Sequence, residues 1–157
     1  MQTKARVRTV ELQDSAALEG SFVALGYPAP QSAIRKRLTR LRSDPTYAAW
    51  VAVQDESIVG FAAGHIVHPI EEDNPAAQLI ALVIAPGHER TGAGTALCNE
   101  FETWACFNSA RRVLVNSDEQ RREAHAFYKN RGYTPTGLRF NKTLRDAEQK
   151  TLPPPLA

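Results

Sequence analysis

Hydrophobic positions repeat with a short period in some segments of the chain and with a longer period in others. The short period, in which apolar and polar residues alternate, predicts the strands. Weak alternation over residues 6–12 predicts a first strand, and runs rich in valine, isoleucine and aromatic residues predict a hairpin over 47–53 and 58–67. The nearly continuous apolar run 79–84 predicts a strand buried on both faces. Shorter patterns predict further strands at residues 112–115, 133–136 and 138–144.

The longer period, with apolar residues three and four positions apart, predicts about four helices. The first follows Asp14, a helix-capping residue type, and ends at Gly26, and the second spans residues 31–42. The third spans residues 91–107, and the fourth spans 119–131 with Gly132 as its C-cap. The polar segment 68–75, bracketed by prolines, predicts a loop. This order of elements predicts one α/β domain with a mixed sheet.

Composition and charge narrow the class of protein. A chain of 157 residues with 43% hydrophobic and 23% charged residues predicts a single folded domain. We expect a core over residues 5–145 and a flexible tail over 146–157. The sequence contains no apolar run of membrane-spanning length and no signal-type stretch, so we expect a cytoplasmic protein without membrane contact. Nineteen basic against 17 acidic residues give a net charge of +2, which argues against nucleic-acid binding.

The segment after the buried strand carries the strongest chemical signal. The turn Pro86-Gly87 ends the strand, and the next helix starts with Gly92 and Gly94. Glycine in a helix costs up to ~1 kcal/mol relative to alanine. The first turn of a helix offers unpaired N–H groups and partial positive charge, which suit a phosphate. These residues alone leave two explanations for the glycines. They allow a phosphate to approach the backbone, or they relieve crowding at the start of the helix.

Two other phosphate-binding patterns fit this segment less well. A P-loop needs a lysine directly after its last glycine, and none follows here. The dinucleotide fingerprint needs a third glycine where this chain has Leu97. A nucleotide-binding domain therefore stays a weaker alternative.

The residues Pro86-x-x-Glu89-x-x-Gly92-x-Gly94-x-x-Leu97 resemble the acetyl-coenzyme A signature of the GNAT superfamily of N-acetyltransferases. Residues 124–133, with the sequence AHAFYKNRGY, resemble the fourth-helix motif of the same family, and residues 136–144 are similar to the ends of small bacterial members. The resemblance covers residues 51–144. It implies a GNAT-like single α+β domain over residues 1–157, with six to seven strands in a mixed sheet. It also implies a splayed pair of parallel strands at the cofactor site.

The resemblance assigns cofactor-binding roles to particular positions. It implies that the backbone of Leu82, Val83 and Ile84 binds the pantetheine arm, and that Phe127 packs against the cofactor. The pyrophosphate is expected on the amides at the helix start, near Thr95. Those amides belong to Glu89, Arg90, Thr91, Gly92, Ala93 and Gly94.

Two positions depart from the family pattern. Glu89 stands where glutamine or arginine is usual, so we expect its carboxylate to point outward and Arg90 to supply positive charge. Arg121 stands where asparagine is common, and Asn116 is the expected substitute for that cofactor contact.

The resemblance implies direct acetyl transfer from acetyl-coenzyme A to a primary amine, without a covalent enzyme intermediate. Tyr128 occupies the position whose phenol commonly protonates the departing thiolate, and tyrosine is protonated at neutral pH. Gln78 is the only polar residue of the buried strand and cannot accept the amine proton, so water, or Glu71, Glu72 or Asp73 in the preceding loop, is expected to do so.

The acceptor is a small molecule or a peptide amine, with pockets expected from the first two helices and residues 66–74. A homodimer is compatible with the resemblance. A catalytically inactive coenzyme A-binding sensor or interaction module stays open as an alternative. The histidines lack the spacing and the companion ligands of a metal site, so we expect no metal.

Overall fold

The computed structural model describes residues 3–117 and 121–144, which fall into two compact units divided between Asn116 and Ser117. Strands β1 to β5 of the first unit span Arg6–Thr9, Tyr47–Gln54, Ser57–Val67, Ala76–Ile84 and Val113–Val115. Its helices α1 to α3 span Glu19–Ala24, Gln31–Arg42 and Ala93–Phe107, and a 3-10 turn at Leu12–Ser15 precedes α1. Helix α4 of the second unit spans Arg122–Asn130. Among the described residues, no helix has the length and apolar character to cross a membrane.

The strands of the first unit form one mixed sheet in the order β1-β2-β3-β4-β5. The first three pairings are antiparallel, and β4 and β5 are parallel. The predicted α/β class with a parallel strand pair is therefore confirmed. The described part of the chain has five strands rather than the expected six to seven.

The two strands predicted near the C-terminus are the ones that are wrong. Residues 133–144 have no regular secondary structure, and Leu138 and Phe140 are exposed. Alternating apolar residues form a strand only when backbone groups find a neighbouring strand. Here Pro135 lacks an N–H donor and Gly137 weakens the run, so the pattern alone does not specify pairing. The tail expected over residues 146–157 lies outside the described residues.

The first helix is shorter than predicted because Asp14 forms other contacts. Instead of capping a long helix, Asp14 lies in the 3-10 turn, and its carboxylate accepts two hydrogen bonds from the guanidinium of Arg8, at 2.8 and 2.9 Å. It also accepts the backbone N–H of Glu11 at 2.7 Å. The hydrogen bonds from Arg8, more than any other effect, hold the pKa of Asp14 below its usual value. Gly26, with φ of +87°, follows the helix as predicted.

Replacing Asp14 with asparagine is expected to lower the free energy of unfolding by about 1–2 kcal/mol at neutral pH, because a partly buried charge-assisted pair, screened in part by solvent at Arg8, is lost. The native pKa of Asp14 lies below the unfolded value of 3.8, so the contribution is present above that pH. It is lost as the pH falls through the native pKa. Urea unfolding of both proteins from neutral to strongly acidic pH measures the difference, which should shrink below the unfolded pKa. A difference that stays constant into strong acid would contradict this role.

Two apolar layers cover the sheet of the first unit. On one face, Val51 and Phe61 pack with residues of α1 and α2 such as Ile34. On the other face α3 lies close to β3, where a Cβ at Gly64 would stand 2.8 Å from the ring of Phe101. The glycine in β3 therefore permits the close approach of α3 to the sheet.

Candidate functional site

Strand β4 leaves its parallel neighbour halfway along its length. It pairs with β5 only over Ala77–Leu79, opposite Val113–Val115, whereas its pairing with β3 continues to Ile84. Beyond Leu79, the β5-facing edge of β4 has no partner strand among the described residues. Leu82, Val83 and Ile84 lie in this stretch, so β5 leaves them an unpaired strand edge, as the predicted splayed pair requires. A backbone edge of this kind can hydrogen-bond an amide-bearing ligand.

A β-bulge marks the point where the two strands part. Ala63 of β3 stands opposite Ala81, but its neighbour Gly64 stands opposite Leu79, which leaves Ile80 as the extra residue of β4. Bulges increase local twist and bend a strand, and they are frequent next to active sites. Ile80 is 43% exposed. The sequence gives no indication of this bulge, because the apolar run of β4 continues through Ile80 without interruption.

The expectation that β4 is buried on both faces is wrong for its second half. Within residues 79–84 only Leu79 and Val83 are buried, and Leu82 and Ile84 are half-buried. A continuous apolar run predicts full burial only when neighbours cover the strand on every side. Here β5 ends opposite Leu79 and leaves the second half of β4 partly accessible. The apolar character of this run therefore suits the wall of a ligand site.

The turn between β4 and α3 is built from residues with left-handed backbone conformation. Gly87, Arg90 and Gly92 have φ of +85°, +62° and +89°. Gly92 is the N-cap of α3, so the helix starts at Ala93, two residues later than predicted. Glycine adopts this conformation without the steric cost that a Cβ would bring. The hydroxyl of Thr91 donates to the carbonyl of His88 at 2.6 Å and fixes the loop.

This turn presents a row of backbone donors. The first bond of the helix start runs from the N–H of Ala96 to the carbonyl of Gly92, at 2.9 Å. From Glu89 to Thr95, no backbone N–H has an acceptor among the residues that the structure describes. Unpaired amides at a helix start, together with the helix dipole, form a site for an anion. The row contains all the predicted phosphate-binding residues.

Glu89 and Arg90 place opposite charges on the same turn. Glu89 is exposed, as expected, but its carboxylate folds back and accepts the N–H of Gly87 at 2.8 Å. Its negative charge therefore stays beside the row of donors. Arg90 is exposed and has no ion-pair partner within the described ranges, so its charge is available to an anion. Asn116 is exposed directly after the last residue of β5.

The other predicted residues, Phe127 and Tyr128, lie in α4 of the second unit. Their rings are 5.4 Å apart, and the Tyr128 ring is 5.5 Å from that of Tyr133. The guanidinium of Arg131 lies 5.9 Å from the centre of the Phe127 ring. After α4, Gly132 has φ of +89°, and its N–H donates to the carbonyl of Lys129. The C-cap is Arg131, one residue before the predicted position, and Gly132 is the left-handed residue that follows it.

Acidic residues flank the start of β4. Glu72 forms an ion pair with Arg112 at 2.9 Å, whereas Glu71 and Asp73 are exposed in the same loop. Gln78 on β4 is half-buried. Across residues 3–117 and 121–144, no three histidine, cysteine or acidic side chains are grouped as they would be around a metal ion.

Comparison with known proteins gives one consistent result. A sequence model of the acetyltransferase (GNAT) family matches residues 15–133. An uncharacterized N-acetyltransferase of Mycobacterium tuberculosis is 30% identical over 103 residues, which are 66% of this chain and 63% of that protein. The match thus spans less than two thirds of that relative.

Solved structures show the same fold at low identity. A GNAT family acetyltransferase of Staphylococcus aureus has a TM-score of 0.77 and 19% identity, covering 90% of this chain and all of that one. An aminoglycoside N-acetyltransferase in complex with CoA has a TM-score of 0.79 and 15% identity, covering 93% of this chain and 97% of that one.

Proposed function

The chain belongs to the acetyltransferase (GNAT) family, and we propose that it is an acyltransferase that transfers an acetyl group from acetyl-coenzyme A directly to a primary amine. The observation that carries this proposal is the row of unpaired N–H groups from Glu89 to Thr95, at the end of the unpaired half of β4. Such a row of N–H donors can bind the oxygens of a diphosphate. The adjoining strand edge can form hydrogen bonds with the amides of a pantetheine arm.

The described residues fit acetyl-coenzyme A in charge and in hydrogen-bonding capacity. The amides of Gly92 and Gly94 would hold the diphosphate, Arg90 would add positive charge, and the backbone of Leu82 and Ile84 would hold the pantetheine. Charge-assisted hydrogen bonds contribute on the order of 1.5–3 kcal/mol each, so several of them support micromolar binding after the costs of association. When bound, acetyl-coenzyme A supplies an acyl group activated as a thioester.

The amine must lose a proton before or during its attack. A lysine-like amine has a pKa of about 10.4, so the neutral form costs roughly 4–5 kcal/mol at neutral pH. Strand β4 offers only Gln78, which is no base, and Glu72 is held by Arg112. We assign the proton to water in the site, with Glu71 and Asp73 as the nearest acidic alternatives along the chain.

Tyr128 protonates the leaving sulfur. As the nitrogen–carbonyl bond forms and the carbon–sulfur bond breaks, the phenol of Tyr128 gives its proton to the sulfur, so a neutral thiol departs. A phenol protonated at neutral pH is suited to this role. Phe127 packs against the coenzyme.

The acceptor that we propose is a small cationic amine or a peptide amine, in a pocket formed by α1, α2 and residues 66–74. Two features support a cationic acceptor. The carboxylates of Glu71 and Asp73 are exposed in this loop, and one protein of the same fold is an aminoglycoside N-acetyltransferase.

A thermal-shift screen tests the proposal. Acetyl-coenzyme A and coenzyme A should raise the melting temperature, whereas ATP and NAD should not. A panel of polyamines, aminoglycosides and lysine peptides, with release of the free thiol as readout, then identifies the acceptor. A melting temperature that acetyl-coenzyme A leaves unchanged would overturn the proposal.

Replacing Glu89 with glutamine is expected to tighten coenzyme A binding about three- to tenfold at low salt. The amide oxygen can still accept the N–H of Gly87, but the negative charge beside the phosphate site is gone. Titration calorimetry at two salt concentrations measures the effect, which should shrink as salt screens the charge. Glu100→Gln, an equal charge change in the middle of α3, is the control and should bind as the wild type does.

A further inference from the structure

A second cleft lies away from the phosphate-binding turn. It has a volume of about 540 Å³ and lies at the start of β2, between the second half of α3 and the end of α2. Trp104 in this cleft lies about three turns, or ~16 Å, along α3 from the residue at which that helix begins. The cleft belongs wholly to the first unit, and none of the predicted cofactor residues lines it.

The walls of the cleft are aromatic. Tyr47, Trp50, Trp104 and Phe107 all line it. The rings of Trp50 and Trp104 meet edge to face, with centroids 5.5 Å apart and an interplanar angle of 73°. Phe107 is 88% exposed at the end of α3. A cavity of this size that combines aromatic walls with polar and charged side chains is typical of a small-molecule site.

Two opposite charges line the same cleft from different elements. Arg42 comes from the end of α2 and Glu100 from α3. Within the described residues neither side chain has a hydrogen bond or an ion-pair partner, so the two do not pair with each other. A ligand that carries both charges could bridge them, because its carboxylate would face Arg42 and its ammonium group Glu100.

We propose that this cleft binds a small zwitterion with an aromatic or apolar side chain, of the amino acid or short-peptide class. The ammonium group pairs with Glu100, the carboxylate pairs with Arg42, and the side chain packs against Trp50 and Trp104. Neither a purely apolar ligand nor a singly charged one uses all of these groups. None of the residues proposed to bind acetyl-coenzyme A lines this cleft.

The chain contains two tryptophans, and both line the cleft, so intrinsic fluorescence reports on it specifically. The full chain, without acetyl-coenzyme A, is titrated with phenylalanine, with phenethylamine, which lacks the carboxylate, and with 3-phenylpropionate, which lacks the ammonium group. Phenylalanine should bind at least about tenfold more tightly than either analogue, because each analogue leaves one charged hydrogen bond unformed. Equal affinities for the three probes, or no fluorescence change with any of them, would overturn the proposal.

Charge variants test which side chain binds the carboxylate of the ligand and which binds its ammonium group. Glu100→Gln should abolish the preference for phenylalanine over 3-phenylpropionate, and Arg42→Gln should abolish its preference over phenethylamine. Arg40→Gln, an exposed change on α2 outside the cleft, is the control and should keep both preferences. Coenzyme A affinity should be unchanged in all three variants, which separates this proposal from the proposed function.

Preferences for phenylalanine that survive in Glu100→Gln and Arg42→Gln would overturn the proposed zwitterion site. So would self-association in sedimentation that these two variants abolish, since a second copy would then occupy the cleft.

Discussion

Replacing Tyr128 with phenylalanine is expected to lower kcat by about 10²–10⁴-fold and to leave the Kd for acetyl-coenzyme A unchanged. General acid catalysis contributes a factor of this size. The variant removes a single hydroxyl and keeps the ring, so its packing against Phe127 and Tyr133 should persist. Initial rates of thiol release, and calorimetric binding of acetyl-coenzyme A, measure the two quantities separately.

Tyr133→Phe is the matched control, because it removes the same group from the neighbouring ring of the second unit. It should keep nearly full turnover. Full activity in Tyr128→Phe would mean that another group protonates the sulfur. A wild-type protein that binds acetyl-coenzyme A but releases no thiol with any amine would instead favour the non-catalytic sensor.

The elements that the sequence predicts correctly are those specified by local chemistry. Helix α2 begins and ends at the predicted residues, Gln31 and Arg42, since its apolar period runs without interruption between a proline-containing start and a polar end. Gly132 directly follows the C-cap of α4, because a left-handed residue is needed there and glycine supplies it at no steric cost. These features depend on neighbours along the chain and so can be predicted from it.

The features that the sequence does not predict depend on distant parts of the chain. The bulge at Ile80 is set by pairing between strands, and the apolar run through it carries no mark of it. The unpaired edge of β4 beyond Leu79 is expected from the family resemblance alone and has no signal in that run. Asp14 looks like a helix cap until Arg8, six residues earlier on β1, binds its carboxylate. The alternation over residues 133–144 predicts strands, but the described residues provide no pairing for them.

The proposed phosphate site also combines features that the local sequence predicts with features that it does not. Gly92 and Gly94 mark the turn in the sequence, and the row of donors confirms that backbone N–H groups are available there. The orientation of the Glu89 carboxylate toward Gly87 could not be predicted, because it depends on the left-handed conformations of the loop. The sequence therefore indicates where an anion could bind, whereas the position of the Glu89 carboxylate at its edge is known only from the structure.

Replacing Gly94 with aspartate is expected to weaken coenzyme A binding at least about 100-fold. The new carboxylate would stand in the first turn of α3, among the amides proposed to hold the diphosphate. Two unit charges ~5 Å apart repel by about 3 kcal/mol at an effective dielectric constant near 20, which corresponds to a factor of roughly 100. Calorimetric titration with coenzyme A measures the loss.

Gly94→Asn is the control, because asparagine has nearly the same shape as aspartate without its charge. It should lose much less affinity than Gly94→Asp. An acidic residue in the first turn of a helix is favourable for the helix dipole, so the melting temperature of the unliganded aspartate variant should equal or exceed that of the asparagine variant. Affinity and stability should therefore change in opposite directions between the two variants. This outcome distinguishes electrostatic repulsion of an anion from damage to the fold, and equal affinities would show that no phosphate lies at this helix start.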